Sequence, residues 1–385
     1  MRNSNRRRAV GIAALALLGT VGVGLTPAQA QEPPIETSAL EFDPSDYPQC
    51  RFNGQVRTIR YLVDRIVANS PGPFDADGDA SDEDGPLYAQ PTDEQREHFR
   101  AGLTALIDDD PATANQHLSE AGYAVCSGEV DGTTNRHTVL VYHVDGLSAS
   151  ETDGQPMLLL NPGQAADATL LSGPHLRTEA KVKNQILAAV GQTGLGYVRG
   201  AVLSGTHRCN RLAEAPQEYQ GTTQMCGGRY RISDMAHNID TIFQDMHDVI
   251  REEYPLTYSV QLHGMSEDGI SVSRGARPNA GSANHPQAAV TRAHAYAYVY
   301  LRPRLTASNL TDDADNLTTC TPYVHSGNGQ AMPQRDLHCG TRNAQLDREQ
   351  DLGGADRFIH IEQSMDVRTY YPEYVTRVMY GLFAD

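Results

Sequence analysis

Three short segments of this chain set histidine and glutamate against apolar runs: Pro174-His175-Leu176-Arg177-Thr178-Glu179, the Leu262-His263-Gly264 that closes Tyr258-Ser-Val-Gln-Leu, and Glu362 in Phe358-Ile-His-Ile-Glu. Two imidazoles and a carboxylate are a donor set for zinc that leaves one coordination position to water, and a further carboxylate can then act as a base. His175, Glu179 and His263 are therefore the candidate metal ligands, and Glu362 is the candidate base. A histidine that ends an apolar strand beside Gly264 is costly to bury without a partner, which favours a ligand role for His263. The plainer readings are a first-turn helix charge for Glu179 and a salt bridge to Arg368 for Glu362. A rival set, His207, Asp234 and His237, also offers two histidines and a carboxylate. There Ser233-Asp234 reads equally as a helix cap, and the group as an outer support that orients the ligands.

Those residues need a frame to converge. Amphipathic periodicity predicts helices over 56–69 and 94–106, and alternation predicts strands over 138–144 and 157–160. The order then becomes regular: strand 168–171, helix 179–190, strand 197–203, helix 234–253 and strand 258–262. A helix over 285–300, a loop-rich insertion over 305–355, the strand 358–361 and a closing helix over 373–383 complete the expected order. Strands alternating with helices of this length predict an α/β fold with a mixed, largely parallel sheet flanked by helices, whose ligands gather at the carboxyl ends of strands. His175, the Thr206-His207-Arg208 segment and His263 all fall just after or at the ends of such strands.

Residues 1–30 read as a secretory signal: Arg2 and Arg6 to Arg8, an apolar run from Ala9 to Leu25, and an Ala28-Gln29-Ala30 cleavage-type site. An uncleaved anchor is the other reading of the same run. Its removal leaves 27 basic against 48 acidic residues, a charge of −21, which argues against nucleic acid or an anionic membrane as partner. The expected organisation is thus a signal over 1–30, an N-terminal extension with an acidic loop over 31–130, and a catalytic α/β domain over 131–385 in a periplasmic or secreted protein. Six cysteines in an exported chain point to disulfides, and their intervals favour Cys50 with Cys126, Cys209 with Cys226 and Cys320 with Cys339, the last two stapling insertions. The acidic tract from Asp75 to Gly85 spaces Asp75, Asp77 and Asp79 like a calcium loop, but Ala80 and Pro86 stand where an EF-hand needs glycine and glutamate. A solvated loop and a calcium site of another kind remain its two readings.

The order of these motifs resembles the zinc-carboxypeptidase-like hydrolases, including amidohydrolase branches such as N-formylglutamate amidohydrolase and poly-gamma-glutamate hydrolase. The resemblance spans about residues 165 to 370 and is one of pattern and spacing. It implies zinc held by His175, Glu179 and His263, an arginine at Arg208 or Arg211 for a substrate carboxylate, and Glu362 as the catalytic base. One departure is plain: the family's first motif has two residues between its ligands, and this chain has three between His175 and Glu179. The implied partner is a small molecule or peptide bearing a carboxylate, and the implied reaction is hydrolysis of a nearby amide bond. The chain has no Gly-x-Ser-x-Gly elbow, no His-Glu-x-x-His helix and no Gly-x-x-x-x-Gly-Lys loop, which removes the common alternatives of serine hydrolase, zincin and nucleotide-binding protein. A secreted binding protein with a structural metal or calcium loop is the alternative from another class.

Overall fold

The six strands expected from the sequence join three further ones in one mixed nine-stranded sheet. The structure is a computed structural model and describes residues 42–72, 87–132, 137–148, 153–162, 169–192, 198–210, 226, 230–254, 258–273, 293, 297–319, 343–351 and 357–383. A small antiparallel pair, β1 (Arg51–Phe52) and β2 (Gln55–Val56), precedes it. The sheet strands are β3 (Tyr123–Glu129), β4 (His137–His143), β5 (Met157–Leu160), β6 (Thr169–Gly173), β7 (Val198–Leu203), β8 (Tyr258–Gly264), β9 (Ile270–Ser273), β10 (Leu317–Thr319) and β11 (Phe358–Gln363). They lie in the order β10-β9-β11-β8-β6-β7-β5-β4-β3.

The four central strands β7, β6, β8 and β11 run parallel to one another, and antiparallel pairs flank them on both sides. Parallel strands end on the same edge of a sheet, so the segments after β6 and β7 and the carboxyl ends of β8 and β11 meet at one place. His175, Arg208, His263 and Glu362 belong to those four termini.

Alternating side chains build two cores. Met157, Leu159, Leu171, Leu203, Val260 and Ile361 face one side, where helices α1 (Ile59–Asn69), α4 (Val182–Gly191) and α10 (Tyr374–Phe383) cover them. Leu158, Leu160, Leu170 and Val202 face the other, under α2 (Asp93–Ile107), α3 (Pro111–Glu120) and α5 (Ile242–Glu253). Each such side chain taken fully out of water contributes about 1.5–3 kcal/mol, and that gain selects the register.

Several boundaries differ from the sequence expectation. Glu179 does not open a helix: α4 begins at Val182, after Lys181 in a left-handed conformation (φ 75°). The helix expected from 234 begins at Ile242, where Thr241 accepts the Gln244 amide, so Asp234 sits in a loop and does not cap it. The stretch 305–355 is less irregular than expected, since it contributes β10 and the helices α6 (Arg302–Ala307, entering from before it), α7 (Thr311–Asp315) and α8 (Ala344–Asp351). The strand β3, from within the segment assigned to an N-terminal extension, is hydrogen-bonded along its length to β4, so the sheet draws on residues before 131. The expected helix over 285–300 falls largely outside the described residues, as do the acidic tract with Asp75, Asp77 and Asp79, the signal segment, and Cys320 and Cys339.

Two of the expected disulfides are present, Cys50–Cys126 and Cys209–Cys226. The first spans 76 residues and ties the segment before β1 to β3. Closing so long a loop restricts the unfolded chain, so Cys50→Ala with Cys126→Ala is expected to lower stability by about 2–5 kcal/mol. Urea unfolding of the double variant checks this, and an unchanged midpoint would show that the bridge constrains nothing.

His247, buried on α5 beside Phe243, makes a second prediction. Burial and the neighbouring Arg251 push its imidazole down to about 3 from 6.5. Its depressed pKa means that the unfolded chain takes up a proton near pH 6.5 while the folded chain refuses it until about pH 3. Its contribution to stability is therefore complete above 6.5 and declines as pH falls through that window, by up to about 1.4 kcal/mol per unit. His247→Phe should flatten the fall of the urea midpoint across that window; an identical pH slope in the variant would refute the assignment.

Candidate metal centre

The segment after β6 turns back on itself: the Glu179 amide donates to the His175 carbonyl at 2.9 Å, and the Thr178 amide to the same oxygen at 3.1 Å. This is one helical turn, in which residues four apart share a face. The extra residue between the two candidate ligands is thereby accommodated, and His175 Nδ1 lies 3.0 Å from Glu179 Oε1. From the end of β8, His263 brings its own Nδ1 to 3.3 Å from the same oxygen. The three residues are 1%, 3% and 4% exposed, so their charges are met by protein and not by water.

Both imidazoles are fixed from behind. His175 Nε2 is 2.8 Å from Asp234 Oδ1, and His263 Nε2 is 2.8 Å from Gln261 Oε1. Each acceptor takes a proton on Nε2, so in the neutral ring each Nδ1 presents a lone pair toward Glu179. A metal ion, or in its place a proton on Nδ1, is the cation that lets the two rings face this carboxylate, which Arg208 also contacts. Glu179 Oε2 is also buried without a hydrogen-bond partner. The donor set and the backing acceptors fit a zinc ion held by His175, Glu179 and His263, with Asp234 and Gln261 as orienting partners.

The backing residues are themselves secured. Gln261 Oε1 also accepts from Asn343, and its amide nitrogen donates to Gln345 Oε1 at 2.9 Å; Gln345 in turn donates to Gln244 Oε1 and the Met235 carbonyl at 3.0 Å each. His237 Nδ1 lies 3.0 Å from Asp234 Oδ1, and its ring stacks on Tyr230 at 3.6 Å between centroids. The rival set is thus divided: Asp234 and His237 stand behind His175, while His207 turns its Nδ1 to the Cys209 amide at 3.1 Å. Burial and the adjacent Arg208 hold His207 down at about 4.

Arg208 contacts Glu179 Oε1 from the segment after β7, and Arg211 lies outside the described residues. Arg368 donates to the carbonyls of Ser364 at 3.1 Å, Met265 at 3.5 Å and Ala180, the residue after Glu179. It joins the Glu179 turn to the end of β8 and to the helix α9 (Met365–Tyr370). A Cβ on Gly264 would stand 2.3 Å from the Arg368 guanidinium, so glycine leaves that passage open.

Glu362 pairs with His263 across β11 and β8. Its Oε2 is buried without a hydrogen-bond partner and its Oε1 is 3.7 Å from His360 Nε2. The two carboxylates respond to burial in opposite ways. Burial raises Glu179, but His263, His175 and Arg208 outweigh it and hold the carboxyl well below the ordinary range. Burial and the Glu179 charge raise Glu362 well above that range, against the pull of Arg208 and Arg368. His175 is raised despite burial and Arg208, because Asp234 and Glu179 prevail; His263 is lowered by burial, against Glu179. His263 also lies close to His360, at 4.6 Å between rings, and these two with Glu362 form a second potential ligand group. Gln261 occupies the Nε2 of His263, which leaves only the Nδ1 directed at Glu179.

Sequence reasoning missed Gln261 and His360. Their signal was present, because Gln261 and His263 alternate with Val260 and Leu262, and His360 and Glu362 with Ile359 and Ile361. Two adjacent parallel strands thus carry a polar face, and the register sets His360 beside Gln261.

No family model matches the chain, and no curated protein matches it. Among solved structures it is similar to a proposed metallopeptidase from Shewanella amazonensis SB2B, at 11% identity over 59% of this chain and 80% of that one, with a TM-score of 0.32. An aspartoacylase family protein from Mesorhizobium loti matches at 10% identity over 68% and 67%, with a TM-score of 0.29. A metallo-carboxypeptidase from Pseudomonas aeruginosa, solved with (2-guanidinoethylmercapto)succinic acid, matches at 10% identity over 70% and 66%, with a TM-score of 0.27.

If Asp234 fixes the His175 tautomer, Asp234→Asn should weaken zinc binding about 10–100-fold without unfolding the protein. Competition against a chromophoric chelator measures this, with circular dichroism as the control for folding; wild-type affinity in a folded variant would exclude the orienting role.

Proposed function

We propose that this chain is an exported zinc-dependent hydrolase of the zinc-carboxypeptidase-like kind, acting on an amide bond close to a carboxylate. The observation that carries the proposal is the pairing of the His175–Glu179–His263 donor set, its two imidazoles locked at Nε2, with a buried carboxyl of raised proton affinity on the adjacent strand. When bound, zinc supplies Lewis acidity that polarises the amide carbonyl and makes water nucleophilic at neutral pH.

The chain's own residues provide the rest. Glu362 takes a proton from the attacking water and returns it to the leaving amine, and a carboxyl whose proton affinity is raised by burial and by the Glu179 charge suits both transfers. Arg208 is a fixed cation beside Glu179, and its planar fork binds a substrate carboxylate at two points, a geometry that lysine does not offer. Arg211 is the other candidate for that role. The substrate is a peptide or an N-acyl or gamma-glutamyl amino acid, in line with the branches that include N-formylglutamate amidohydrolase and poly-gamma-glutamate hydrolase. Nucleic acid is no partner for a chain of this charge. Export rests on the signal reading of residues 1–30 and is supported by the two disulfides. No helix among the described residues is long and apolar enough to cross a membrane.

The test separates binding from chemistry. His263→Ala should lose both zinc and hydrolysis of acyl-amino-acid or peptide substrates, whereas Glu362→Gln should keep zinc and lose about 10²–10⁴-fold in kcat. Metal content by elemental analysis and turnover on the same preparations decide it; undiminished kcat in Glu362→Gln would remove Glu362 from the mechanism.

A further inference from the structure

On the other side of the sheet from α4, helices α2 and α3 form an antiparallel hairpin that carries a second convergence of metal-ligating groups. His98 comes from α2; His117 and Glu120, three residues apart on one face, come from α3. His98 Nδ1 is 3.1 Å from His117 Nδ1 and 2.9 Å from Glu120 Oε2, and His117 Nδ1 is 3.4 Å from the same Glu120 oxygen. Three donors held by one tetrahedral zinc, each about 2.0–2.1 Å from the ion, stand about 3.3 Å from one another. The observed edges, 2.9, 3.1 and 3.4 Å, lie close to that spacing.

Hydrogen bonding alone satisfies this triangle poorly. A neutral imidazole carries one proton, and a proton on His98 Nδ1 faces both the Glu120 oxygen and the second imidazole nitrogen, so it can be directed well at only one of them. A cation at the centre satisfies all three lone pairs together. The spacing is also set by backbone packing and not by side-chain chance. Gly102, one turn beyond His98, lies so near α3 that a Cβ there would stand 2.7 Å from the Leu118 side chain and 2.8 Å from its backbone nitrogen. Leu118 is the neighbour of His117, so the close approach of the two helices holds both histidines at that separation.

We propose that His98, His117 and Glu120 form a second zinc site, a clamp that joins α2 to α3 and is independent of the catalytic centre. The two histidines are 31% and the glutamate 40% exposed at their side chains, so an ion can enter from solvent and complete its shell with water. Nitrogen-rich donor sets of this kind also bind cobalt, which gives the site a visible reporter.

The full chain carrying His175→Ala and His263→Ala, stripped of metal with a chelator, isolates the clamp. Titration with Zn²⁺ should find about one equivalent bound per chain and a rise in Tm on binding. Adding His117→Ala, or in a separate variant Glu120→Gln, should abolish or strongly weaken that equivalent and remove the rise in Tm. Wild-type protein titrated with Co²⁺ serves as the control that needs no change at the catalytic centre: about two equivalents are expected, falling to about one in His117→Ala with hydrolysis unaffected. A stripped His175→Ala/His263→Ala protein that is folded and takes up no zinc overturns the clamp. So does an equivalent that survives both His98→Ala and His117→Ala. Because His98→Ala and His117→Ala in the otherwise wild-type chain leave the catalytic residues in place, failure of the clamp leaves the hydrolase reading standing, and inactivity of the wild type leaves the clamp standing.

Discussion

The site depends on the burial of an ionised carboxylate at Glu179. Taking such a group out of water costs several kcal/mol unless other charges and dipoles replace its hydration. Here the replacement comes from three separate segments: His175 from the same turn, His263 from β8 and Arg208 from beyond β7. Remove the partners and the charge has no solvent to return to, since the residue is 3% exposed. The arrangement of the surrounding loops follows from this demand, with Arg368 fastening the Glu179 turn to the end of β8 so that the partners cannot drift apart.

Parallel strands meet the demand economically. β6, β7, β8 and β11 end on one edge, where His263 and Glu362 stand one residue before the ends of β8 and β11 and His175 and Arg208 lie in the segments after β6 and β7. The register between β8 and β11 does further work, because it sets Glu362 beside His263 and His360 beside Gln261 on one face, while Ile361 and Leu262 point into the core on the other. A shift by one residue would turn Glu362 into the hydrophobic layer and bring isoleucine beside His263. The apolar residues on the far face therefore fix the position of the polar ones, and the geometry of the candidate site is held by hydrophobic burial.

Much of this was legible in the sequence because it follows from local patterns. The alternation around His263 and Glu362, the parallel α/β order and the pairings Cys50–Cys126 and Cys209–Cys226 need only periodicity and spacing. What escaped depends on contacts between distant segments. Asp234 read equally as a cap at the start of a long helix and as a support for the ligands, and only the fold shows that the helix waits until Ile242 and leaves the carboxylate to His175. Gln261 was marked only as a polar position in an alternating strand, since an amide there becomes an orienting acceptor only when an imidazole on the same strand face turns to it. The short strands β9 and β10 were not marked by alternation; β9 pairs with the edge of β11, and β10 in turn with β9.

The two carboxylates show how one environment assigns two roles. Glu179 and Glu362 are both buried, and burial alone would raise both. Glu179 has two imidazoles and a guanidinium close by, so it remains an anion fit to hold a metal. Glu362 has an unsatisfied oxygen and the Glu179 charge as a neighbour, so it holds a proton more readily. Groups whose proton affinities are driven apart in this way can divide the work of ligand and proton carrier without different chemistry in the side chain. The two are linked: burial raises Glu362 and the negative charge kept on Glu179 adds to it, so a neutral residue at position 179 would withdraw both a candidate metal ligand and part of the raised proton affinity of Glu362.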